Sequence, residues 1–225
     1  VISPAITKVP YDPFKDLAPV GQIVSLQNIF IVHPSLPAKT LKDLIALAKA
    51  KPGKFNYATS GSGSPGHLAA ELFKSMTNTN IVHVPYKGGG PAMTDLIGGH
   101  VEIFVAVIST AVPQVKAGKA RALAVTGAKR ASALPDVPTV AEAALKGYEA
   151  TNWYGFVVPA ATPREIVTRL NEATVKILNM PDIQKSLLDR GIDPAPGTPE
   201  QFAGYIRSEN DKWVKIIKAV GIKPE

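Results

Sequence analysis

From Thr40 onward the apolar residues switch repeatedly between short β-like runs and helical stripes, and this alternation constrains the fold more than any single motif. It is the pattern of βα units around a mostly parallel sheet, so the predicted class is α/β. Thr40 can cap a helix whose stripe is Leu41, Leu44, Ile45, Leu47 and Ala48, and Pro52-Gly53 stops it. Strands are predicted over 55–58, 81–84, 103–108, 121–126 and 153–158. Between them the sequence predicts a helix opening near His67 with the stripe Leu68, Leu72, Phe73 and Met76, one entered at Pro91 and ended by Gly98-Gly99, and one starting at Pro113. Thr139 with Glu142 has the spacing of a reciprocal capping box, as does Thr162-Pro163-Arg164-Glu165. A long helix runs from Thr198-Pro199 to near Gly221, and three helices in succession close the chain.

Composition narrows the function classes. With 225 residues, 45% hydrophobic and 19% charged, the chain buries a large core and is not disordered. The longest charge-free stretch, 17–38, is interrupted by Gln22, Ser25, Gln27, Asn28 and Pro34, so it does not supply the roughly 20 apolar residues of a membrane span. The absence of cysteine removes disulfides, thiolate metal sites and Cys nucleophiles, and leaves a periplasmic address open. The net charge of +7 comes from singly spaced cations, which reads as a solvated basic surface rather than a nucleic-acid groove and favours anionic ligands by a small steering term. His33, His67, His83 and His100 lack metal-ligand spacing. The chain starts at Val1 without a basic-then-apolar leader, which implies that something upstream was processed, trimmed or left out.

Gly61-Ser62-Gly63-Ser64-Pro65-Gly66 follows a predicted strand and opens a predicted helix, the context of a dinucleotide fingerprint. That reading, a nucleotide-cofactor (NAD or NADP) enzyme, needs a ribose-binding acid about 20 residues on. None lies between Glu71 and Asp95. The same loop can be an anion cradle, in which free amides at a helix start, the positive end of the helix dipole and the hydroxyls of Ser60, Ser62 and Ser64 converge on a carboxylate. It can equally be a tight turn that binds nothing. His67 abuts the loop, most simply as a polar end group. With no nucleophile elbow, no metalloprotease motif and no acid–base pair, the expectation is binding rather than catalysis, without a cofactor or metal.

Several ordered segments resemble a known family. They are Pro10-Tyr11-Asp12-Pro13 with Asp16 and Pro19-Val20, then YATSGSGSPGHL over 57–68, Val84-Pro85-Tyr86-Lys87-Gly88, and Asp95-Leu96-Ile97-Gly98-Gly99. RALAVT over 121–126, LPDVPTV over 134–140, the Trp153/Gly155/Pro159 set and 191–196 complete the series. The chain resembles the Bug family, extracytoplasmic solute receptors of bacterial tripartite tricarboxylate transporters. The resemblance implies a type II periplasmic-binding-protein fold of two α/β lobes closing over a small organic carboxylate, here with residues 1–30 and 151–225 as a first, partial lobe and 31–150 as the second. It also implies a further upstream segment carrying the first lobe's own carboxylate loop. Carried over by position, the ligand-binding residues are Thr59, Ser60, Gly61, Ser62, Gly63 and Ser64, with His67 beside them. Ala106 stands where members that bind amino acids tend to place an acid, so the implied ligand lacks an amino group. The implied receptor is a periplasmic monomer that delivers its ligand to membrane permease subunits and binds no nucleic acid.

Overall fold

A computed structural model describes residues 9–221. The chain forms two compact units, one comprising Leu26–Asn152 and the other the residues up to Ser25 and from Trp153 onward. In the Leu26–Asn152 unit, strands and helices alternate through β2 (Asn56–Thr59), α2 (Pro65–Thr77), β3 (Val82–Pro85), α3 (Gly89–Ile97), β4 (Ile103–Val107), α4 (Ile108–Lys116), β5 (Arg121–Val125) and α5 (Val140–Ala143), after a first helix, α1 (Leu41–Ala50). The sheet order is β3-β2-β4-β1-β5, with β1 spanning Leu17–Val32. Strand β2 runs parallel to β3 and β4, whereas β1 is antiparallel to both β4 and β5. The sheet is therefore mixed: four strands share a direction, and β1 is reversed between two of them.

Strand β1 is the element that charge-free length alone did not reveal. Its polar residues break a membrane span but suit a strand whose neighbours satisfy them. Gln27 accepts from the Gly127 amide through Oε1 (3.0 Å) and donates from Nε2 to the Lys129 carbonyl (3.0 Å). The apolar residues of β1 divide by side, as strand alternation requires. Ile29 and Ile31 join a buried cluster with Phe104 and Ala106 of β4, Ala92 and Leu96 of α3, and Ile108 and Ala111 of α4. On the other face Phe30 packs on Phe73 of α2, ring centroids 4.9 Å apart.

Three helix starts follow the local chemistry of the sequence. Reciprocal boxes form at Thr40 with Asp43, at Thr139 with Glu142, and at Thr198 with Gln201, each satisfying amides that the first helical turn leaves without partners. Three other expectations are corrected. Pro113 does not start a helix but lies inside α4, because burial of Ile108, Ala111 and Val112 carries the helix through it. The Thr162 box does not form, since Pro163 itself occupies the cap position and no side chain bonds the helix α6 (Arg164–Leu178). The closing helices α6, α7 (Pro181–Leu188) and α8 (Pro199–Val220) are not consecutive, because the short strand β7 (Ile192–Pro194) pairs with β1 between α7 and α8.

In the other unit, β6 (Thr151–Pro159) and β7 both pair with β1. Trp153 meets Phe202 and Tyr205 of α8 edge-on, at 5.5 and 5.7 Å. Asn171 of α6 donates to the carbonyls of Val20 and Gly197, each at 2.8 Å. Phe156, Leu170 and Ile177 are exposed and line an apolar groove with Val20. Among the described residues no helix is long and apolar enough to cross a membrane.

Two glycines of this unit give opposite expectations. A Cβ on Gly155 would overlap the Phe202 ring and stand 2.8 Å from the Gly21 carbonyl oxygen, whereas one on Gly204, within α8, meets nothing. Gly155→Ala is expected to destabilise by about 1–3 kcal/mol through overpacking. Gly204→Ala is expected to stabilise by roughly 0.5–1 kcal/mol through helix propensity. Urea unfolding of the two variants against wild type checks both signs.

Candidate ligand site

Strand β2 delivers Thr59 to the start of a tight turn, and α2 begins six residues later at Pro65. The turn exists because two glycines adopt positive φ, Gly61 at 136° and Gly63 at 71°, which side-chain-bearing residues avoid. The fully buried Thr59 hydroxyl pins it, accepting from the Gly61 amide (3.2 Å), donating to the Gly61 carbonyl (3.1 Å) and lying 2.7 Å from His83 Nε2. One hydroxyl proton serves this set only if His83 carries a proton on Nε2. Ser64 caps α2 by accepting from the His67 amide (3.3 Å), and its own amide donates to the Gly61 carbonyl (3.2 Å). From the α3 side, the Gly88 amide donates to the Ser60 carbonyl (3.2 Å).

His67 is a structural part of this turn. The Gly63 amide donates to His67 Nδ1 (3.1 Å), so that nitrogen is the unprotonated one. The His67 and His83 rings stack 4.1 Å apart and within 9° of parallel, and Tyr57 lies 4.9 Å from His83 on the same pile. Beneath it, Tyr57 donates to Glu71 Oε1 (2.5 Å), and Lys74 Nζ lies 2.6 Å from the same oxygen. Burial acts to raise the Glu71 carboxyl, but the bonds from Lys74 and Tyr57 outweigh it and hold Glu71 below its ordinary value. Burial and the bond to Glu71 push the Tyr57 phenol up. Tyr86, which follows β3, donates to Asp95 Oδ2 (2.7 Å), and partial burial with that bond pushes it up to about 12.

The glycine amides are thus not the free donors that spacing suggested: those of Gly61, Gly63 and Ser64 are consumed within the turn. Ser60 and Ser62 differ. Among the described residues neither uses its amide or hydroxyl as a donor in the fold, and Ser62 is exposed. The third glycine has a packing role, since a Cβ on Gly66 would collide with the Val105 carbonyl oxygen of β4. Ala106 is separated from the loop. Its side chain is fully buried in the cluster on the opposite face of the sheet, so an acid there would enter the core rather than meet a ligand. Val105 and Val107 are the β4 residues on the loop's face. Sequence reasoning passed over Asn28, whose buried carboxamide has no partner at either end among the described residues. Its only sequence signal was a polar residue amid an apolar run. Among the described residues no group of His, Asp and Glu could hold a metal ion.

Residues 1–222 match the family described as the tripartite tricarboxylate transporter family receptor. The chain belongs to this family. A relative from the tcbD–tcbE intergenic region of Pseudomonas sp. strain P51 is 36% identical over 211 residues, 93% of this chain and 63% of that protein. BugT of Bordetella pertussis is 32% identical over 215 residues, 96% of this chain and 66% of its own length. The chain therefore spans just under two thirds of these two relatives. Among solved structures, R. palustris Rpa4515 with adipate superposes with a TM-score of 0.92 at 38% identity, covering 98% of this chain and 74% of that one. The periplasmic binding protein BugD gives 0.90 at 28% identity, over 100% of this chain and 76% of BugD. MatC from Rhodopseudomonas palustris with bound malate gives 0.87 at 28%, over 96% and 75%. The fold of this family member is that of a type II periplasmic binding protein.

The Tyr57–Glu71–Lys74 cluster beneath the loop has a pH signature. Because Glu71 is held below its ordinary 4.5 in the folded state, its stabilisation is fully present above that value and is lost as pH falls through the folded one. Glu71→Gln is expected to cost about 1–2 kcal/mol at pH 7. The gap to wild type should close as the medium is acidified below 4.5, read from denaturant midpoints across pH.

Proposed function

We propose that this chain is the ligand-binding part of a periplasmic receptor that captures a small organic carboxylate without an amino group and delivers it to the permease subunits of a tripartite transporter. It acts as a monomer and not as an enzyme. The observation that carries this reading is the Thr59–Ser64 turn: a loop immobilised by its own glycines and by His67, which leaves the donors of Ser60 and Ser62 spare at the positive end of α2. Membership of the receptor family supports it, as do the similar structures that hold adipate and malate. Val105 and Val107, on the same face as the loop, offer no carboxylate to a ligand ammonium. The nucleotide-enzyme alternative lacks support: no acid follows at the ribose distance, and Gly66 is explained by its packing on Val105.

Calorimetric titration of the full-length protein against adipate, malate, succinate, aspartate, glutamate and NAD tests the reading. One of the amino-free acids is expected to bind most tightly and NAD not at all. Tightest binding of aspartate or glutamate would refute the ligand class. Ser62→Val is expected to weaken binding at least tenfold, about 1.4 kcal/mol, at an unchanged melting temperature.

A further inference from the structure

Asn28 lies on β1 and is only 1% exposed. Its main chain is fully engaged, the amide donating to Thr126 Oγ1 (2.9 Å) and the carbonyl accepting from the Thr126 amide (2.9 Å). Its side chain is not: both Nδ2 and Oδ1 are buried, and neither has a partner among the described residues. The preceding residue, Gln27, shows how the fold treats a carboxamide it means to bury, since both ends of that group are bonded. A buried carboxamide with neither end paired is rare and costly unless something else completes it.

Its position says what. Alternation along β1 puts Asn28 on the side of Phe30 and therefore on the α2 side of the sheet. Directly across the ladder stands Val107, the last residue of β4 and the N-cap of α4, a helix start with no side-chain cap. The register of β2 on β4 brings Thr59 level with Val105, the partner of Phe30, so Thr59 stands toward this same edge, two strands across and two residues along from Asn28, about 12 Å at ordinary strand spacing. The carboxyl ends of parallel strands are where ligands bind to sheets of this kind. A carboxylate only accepts and would leave Oδ1 unpaired, while an ammonium only donates and would leave Nδ2 unpaired. One group that both donates and accepts would satisfy both ends.

We infer that the Asn28 carboxamide reads a hydroxyl on the bound organic acid, so that the preferred ligand is a hydroxy acid; this rests on the carboxylate-receptor reading above. A site built around such a bond discriminates strongly against the analogue lacking the hydroxyl. The test is titration of the full-length protein and its Asn28→Leu variant with malate and with succinate, which differ by one hydroxyl, alongside adipate. Wild type is expected to bind malate at least tenfold more tightly than succinate. Asn28→Leu should remove that preference by weakening malate while leaving succinate within about threefold, and should melt no lower than wild type because an unpaired polar group has been removed. If Asn28→Leu fails to fold, Asn28→Asp, of equal size but without the donor pair, is expected to lose the same preference. Unchanged malate binding in the variant, equal weakening of both acids, or no wild-type preference would overturn the assignment and leave Asn28 holding only a buried water. Failure of malate, succinate and adipate alike to bind wild type would instead overturn the carboxylate reading, and this inference with it.

Discussion

The close approach of α2 to β4 is the constraint on which the candidate site depends. It is possible only because residue 66 has no side chain, so the first turn of the helix can press against the Val105 carbonyl. That contact fixes where α2 begins, and with it Ser64 as cap and His67 one turn in. His67 then holds the Gly63 amide, and Thr59 holds Gly61 from the strand side. The loop is thus clamped at both ends before any ligand arrives, and its geometry need not be organised at the moment of binding. The cost of that rigidity is that the amides of Gly61, Gly63 and Ser64 are already occupied, so the proposed recognition falls to Ser60 and Ser62.

The stack below the loop extends the same logic inward. Two imidazoles and a phenol lie face to face, and the phenol ends on Glu71, which Lys74 neutralises. Glu71 and Lys74 are both partly buried, so the pair is shielded enough to matter, unlike exposed pairs such as Lys185 with Asp189. Polar groups of this kind position the turn without touching a ligand.

Much of this was legible in the sequence. The box at Thr139 was read from a hydroxyl and a carboxylate three residues apart, the start of the last helix from Thr198-Pro199, and the glycine turn from its flanking strand and helix. These are local signals, set by residues within one turn of each other. What failed was non-local. The box at Thr162 has the right letters, but Pro163 takes the cap itself. Strand β1 hid because its polar residues are satisfied by partners about a hundred positions away, such as Gly127 and Lys129. Ala106 fell on the wrong face because a one-residue difference in strand phase exchanges core for site. Asn28 could not be recognised at all, since an unpaired carboxamide is defined by what surrounds it.

Strand β1 has a temporal consequence. Its partners β4 and β5 begin at Ile103 and Arg121, and β6 and β7 come at Thr151 and Ile192, so all four are synthesised after it. A central strand whose described partners all lie C-terminal to it closes loops of about 70 residues or more, and such topologies fold slowly. Until β4 and β5 emerge, the Ile29–Val32 stretch lacks the two neighbours that flank it in the fold.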